Sequence, residues 1–125
     1  MQKQMWLMIG TFLASPVIAG SISTDVKTKL QSAMIAHVDD VSVDGAYTYL
    51  DTTTNAIETV YPANVHPMVL SMGADFFVCS EMINDKGDAV TADFLVRKVD
   101  GNYTVVQMIV NNRAALQAAM KKLGN

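Results

Sequence analysis

The chain opens with a continuous apolar run, passes to helical spacing, then to alternation, and closes on helical spacing again. In the second stretch Val26, Leu30, Ala33, Met34 and Val38 follow the helical period and draw one apolar stripe. Ser23 or Thr24 offers a cap, and Asp25 suits the positive helix end. Asp39-Asp40 ends the helix, because acids oppose the dipole at a C-terminus. Residues 43–51, rich in Tyr and Thr, predict a strand. The polar turn 51–55 and the return at 57–61 make it a hairpin. Pro62 and Pro67 bracket an expected loop that holds Asn64 and His66, and 69–72 predict a short strand ending at Gly73. Three longer strands are expected over 75–84, 88–98 and 103–110. Asp85-Lys86-Gly87 fits a three-residue hairpin loop. Asp100-Gly101 signals a second hairpin, which Asn102 extends to three residues. Asn111 or Asn112 caps a last helix with Leu116, Met120 and Leu123 on its apolar face, alongside Ala115 and Ala119. Lys121-Lys122 lie near its negative end and Gly124 just past it.

These loop lengths set a register. Met82 pairs with Val90, Val78 with Phe94, Phe76 with Val96, and the next strand brings Met108 to Phe94 and Val106 to Val96. One face then carries Phe76, Val78, Met82, Val90, Ala92, Phe94, Val96, Val106, Met108 and Val110. A slip of one residue would mix Asp93, Arg97 and Gln107 into it. The opposite face is mixed. It holds Phe77, Cys79, Glu81 and Ile83, then Thr91, Asp93, Leu95 and Arg97, then Tyr103, Val105, Gln107 and Ile109. Cys79 is expected across from Asp93, and Asp75 across from Arg97. Such a surface suits a ligand pocket or partner patch; the bland alternative is a first hairpin or loop covering its apolar part, with charges at the rim.

The opening run has a short basic start at Lys3, an uncharged apolar stretch over 5–14, the breaker Ser15-Pro16, and Val17-Ile18-Ala19. That is the pattern of a secretory signal peptide cut after Ala19 or Gly20. A spanning helix needs about 20 apolar residues, more than this interrupted run provides. The expected organisation is therefore a leader over 1–19 and a single domain over 20–125, with no membrane span after cleavage. The expected location is the periplasm or the exterior of the cell.

Composition adds exclusions. The chain carries a net charge of −3, and removal of a leader with one Lys and no acid takes it to −4. The remaining bases form no cluster, which argues against nucleic acid. Asn102-Tyr103-Thr104 matches a glycosylation acceptor in a turn, which has no meaning if the leader is bacterial. Cys79 is the only cysteine, so no internal disulfide forms, and in an oxidising compartment its thiol must be buried, paired or used. Its run, DFFVCSEM, favours burial.

Candidate chemistry is sparse. Cys79 as nucleophile with His66 as base and Asp93 as orienting acid lacks a nucleophile motif and a basic sequence neighbour. His66, Met68 and Met72 form a soft His/Met cluster of the kind that suits copper(I). An enzyme with Asp93 or His66 as base in a pocket is a further reading. No cofactor is implied. The candidate ligand or partner residues are His66, Cys79, Glu81, Asp93, Leu95, Arg97 and Gln107.

The expected fold is α+β, with an antiparallel sheet of about five strands and an N-terminal and a C-terminal helix packed on one face. The layout is similar in outline to cystatin-like and NTF2-like domains, which wrap a curved sheet around a helix. That resemblance is architectural and brings no site residues. The function expected first is a small exported, non-enzymatic binding or accessory protein. It would hold an apolar ligand or a partner protein on the mixed face and the 62–68 segment, with an oligomer left open.

Overall fold

A computed structural model describes residues 22–124; the expected leader lies outside the described residues. The elements run α1 (Thr24–Val41), β1 (Tyr47–Asp51), β2 (Ala56–Met72), β3 (Asp75–Asn84), β4 (Ala89–Val99), β5 (Asn102–Val110) and α2 (Arg113–Gly124). All five strands form one antiparallel sheet in sequential order. This is the α+β architecture the pattern predicts, with helices flanking the sheet. Among the described residues no helix is long and apolar enough to cross a membrane.

Ser23 caps α1, its Oγ accepting from the Val26 N–H at 3.2 Å. The stripe then buries Leu30, Met34 and Val38 against Val60, Val78, Met82, Val90, Phe94 and Val96. Ser42 closes the helix, its N–H donating to the Val38 carbonyl. Asp44-Gly45, both at positive φ, then turn the chain in a tight Val43–Ala46 bridge, so β1 starts four residues later than the alternation suggests. The sheet is curved: residues of β1 and β5, its two edges, line a common cleft.

The β3–β4 register is the one the loop at 85–87 dictates. Phe76 pairs with Val96, Val78 with Phe94, Cys79 with Asp93 and Met82 with Val90. Three features differ from the expectation. First, 62–67 is not a loop. β2 stays beside β3 from the Val60–Asn84 pair to the Met72–Asp75 pair, with register shifts between Pro62 and Asn64 and between Val65 and Val69. Pro62 and Pro67 cannot donate to a ladder, and bulges are where a strand tolerates that. Second, the hairpin at 100–101 has two loop residues, since Val99 pairs with Asn102. Asp100 and Gly101 both have positive φ, as a type I′ turn requires. The odd residue falls instead at a bulge, where Val105 pairs with Val96 and Gln107 with Leu95. Val106 is therefore half exposed, and Tyr103 and Val105 pack against the core in its place. Third, the two helices take opposite faces. α1 covers the apolar face, while α2 lies on the mixed one, where Leu116 meets the surface around Phe77, Leu95 and Ile109.

Candidate functional site

On the mixed face β3 and β4 present Cys79 and Asp93 side by side, and the first residue of α2 reaches both. Asp93 is fully buried. Its Oδ1 accepts from the Cys79 thiol at 3.0 Å and from Arg113 at 2.7 Å, and its Oδ2 accepts from the Arg113 Nε–H at 2.9 Å. A second contact runs from the Arg113 guanidinium to Cys79 Sγ at 3.3 Å. The bidentate geometry is the strong form of an Arg–carboxylate pair. It also raises the Arg113 pKa.

Burial pushes the Cys79 thiol up to about 12, and the hydrogen bond to Asp93 and that carboxylate's charge act in the same direction. Arg113 opposes them and is outweighed. The nucleophile of a cysteine enzyme needs the reverse, a thiol lowered toward neutrality. His66 takes no part: it lies in the bulged segment of β2, where its carbonyl accepts from Gln31 Nε2 of α1. Both oxygens of Asp93 are engaged, which leaves it poorly placed to act as a base.

The remaining candidates separate. Arg97 donates twice to Asp75, at 2.8 and 2.9 Å, across the β3–β4 pair as the register predicts. That contact lowers the Asp75 pKa. Arg97 is largely exposed, so the pair contributes little to stability. Glu81 accepts from Asn64 Nδ2 at 3.1 Å. Leu95 and Gln107 line a groove of about 410 Å³ beneath α2, together with Met72, Phe77, Ile109 and Leu123. Met72 thus turns to α2, whereas Met68 is exposed in the bulged segment beside His66. Among the described residues, no three His, Cys, Asp or Glu side chains are grouped to hold a metal ion.

A larger concavity lies on the other face, between the C-terminal half of α1 and the first bulge of β2. It has a volume of about 600 Å³. Met34, Ile35, Ala36 and Val38 form one wall, and Pro62, Ala63 and Val65 the other. Polar atoms enter from Ser32, Asp39, Ser42, Asn64 and Ser80, and no Lys or Arg is among its described lining residues. The Ser80 hydroxyl is spent on the Asn64 carbonyl at 3.0 Å. Ser42 Oγ is buried and has no hydrogen-bond partner among the described residues.

Two features escaped the pattern of the sequence. Arg113 is the partner of Asp93, and one sign of it was present: a base in the first turn of a helix opposes the dipole and calls for compensation elsewhere. The β2 wall of the α1–β2 groove lies at a register shift of that strand, and alternation does not reveal such shifts. No family model, curated protein or solved structure matches this chain.

Proposed function

We propose that this is an exported, non-catalytic binding protein whose site is the groove between α1 and β2. The observation that carries the reading is the groove itself: about 600 Å³, walled mainly by apolar side chains, with a few polar groups at its margin. Binding sites for small molecules have this size and this mixture. The quiet thiol of Cys79 and the saturated carboxylate of Asp93 support a binding role over catalysis.

Native mass spectrometry of protein purified from its own compartment tests the site. Ala36→Trp, at an exposed position of α1 on the groove wall, fills the space without touching the core. The reading expects a small-molecule adduct on the wild type that the variant loses. An adduct retained by the Trp variant contradicts it. Export rests on the leader pattern over 1–19. The same spectrum should give the intact mass of a chain beginning at Gly20 or Ser21, and a chain that keeps Met1 contradicts export.

A second reading places a partner protein on the mixed face. Leu123 of α2 is 63 % exposed beside the groove that holds Leu95. Leu95→Asp combined with Arg97→Ala should then abolish capture of that partner while the circular dichroism spectrum persists. Capture at wild-type strength by the double variant rejects this reading.

A further inference from the structure

The charge at the helix end of the α1–β2 groove is one-sided, and this selects among apolar ligands. The groove ends where α1 ends. Asp39 lines it there, Asp40 follows in the same helical turn, and Asp44 sits in the tight turn beside the lining residue Gly45. The last turn of α1 contains no basic residue. The free carbonyls of a helix C-terminus add a partial negative charge to these carboxylates. At the β2 wall, Asn64 lines the groove and its side-chain amide donates to Glu81, which lies outside the lining. An anionic head group entering this groove would meet like charge at the helix end, and a cationic one would meet opposite charge there.

The unpartnered Ser42 Oγ points the same way. Buried hydroxyls are normally satisfied. This one belongs to the residue that caps α1, on the wall of the groove beside Asp39. A head group with N–H donors supplies the partner it lacks, and the neighbouring carboxylate takes the charge.

We propose that the groove binds apolar cations, an alkyl chain or comparable hydrocarbon body carrying an ammonium head, with the body between Ile35, Ala36 and Val65 and the head at Asp39 and Ser42. The proposal rests on the binding reading above and specifies the ligand class of that site. Selectivity against the matching anion follows from the carboxylates, and affinity follows from the apolar walls.

Isothermal titration with dodecylammonium and dodecanoate, both below their micelle-forming concentrations, separates the two layers. Wild type, Asp39→Asn and Ala36→Trp are compared, each checked for folding by circular dichroism. The expected result is saturable binding of dodecylammonium at least about tenfold tighter than dodecanoate. Asp39→Asn should narrow that ratio by weakening the ammonium alone, and Ala36→Trp should remove both. Equal affinity for the two chains, or an ammonium affinity unchanged in Asp39→Asn, overturns the cation assignment while leaving the groove as the site. Absence of saturable binding by either chain, or binding that survives Ala36→Trp, overturns the groove as well.

Discussion

At Cys79 the loss of solvent and the neighbouring carboxylate of Asp93 act in one direction, and the guanidinium of Arg113 does not reverse them. A thiol pushed up to about 12 from an ordinary value of 9.0 carries roughly a thousandfold fewer thiolates near neutrality than an exposed one. Alkylation by iodoacetamide at pH 8 should therefore be very slow in the native protein and rapid after denaturation, and fast native alkylation would contradict this account. Asp93→Asn removes the negative charge that raises the thiol and leaves the opposing charge of Arg113. The pH midpoint of the alkylation rate should fall in that variant. The linkage has a definite sign. The folded value lies above the unfolded one, so the contribution of this thiol to stability is complete below about pH 9 and lost as pH rises toward 12. Arg113→Ala leaves a fully buried carboxylate with only the thiol as donor. That should cost about 3 kcal/mol in urea unfolding. A cost near that of an exposed ion pair, below about 1 kcal/mol, would show that the pair is worth no more than a surface contact.

Among the elements, those fixed by local chemistry were legible and those fixed by pairing were not. Both helices and the β3–β4 hairpin follow from caps, spacing and the loop at 85–87, whose Asn84 side chain accepts from the Lys86 and Asp88 N–H groups. The register at Cys79–Asp93 and Asp75–Arg97 follows with them. The bulges at Val106 and in β2 did not appear, because an extra residue in a strand changes which face later residues take without altering their composition. Val106 and Val105 are the same amino acid, and only the length of the 100–101 loop decides which of them faces the core. That turn is correspondingly sensitive. Gly101 has φ +83, and Gly101→Ala should destabilise the fold by about 1 to 2 kcal/mol, read from the urea midpoint. The placement of α2 was likewise hidden. Its apolar face fits either side of a sheet, and the choice is made by Arg113 seeking Asp93 and by Leu116, which α2 buries in the fold. Leu116→Ala should cost about 2 to 3 kcal/mol and speed amide exchange in α2 more than in α1.

For the whole molecule, the curved sheet separates two surfaces that the sequence alone had joined. The expected site combined the 62–68 segment with the mixed face. In the fold, the first bulge of β2 opens toward α1, while Leu95 and Gln107 lie beneath α2. Asp93 and Cys79, the most conspicuous chemistry in the sequence, serve to fasten α2 to the sheet. The proposed binding role is therefore assigned to the other face, to apolar residues of α1 and β2 that carry no reactive group. Residue-by-residue mapping of a bound probe tests this assignment most directly. An NMR titration of ¹⁵N-labelled protein with dodecylammonium should shift the amides of Ile35, Ala36, Asp39, Ser42 and Val65 in a saturable manner and leave Phe77, Leu95 and Ile109 in place. Shifts confined to Phe77, Leu95, Ile109 and the residues of α2 would contradict the account.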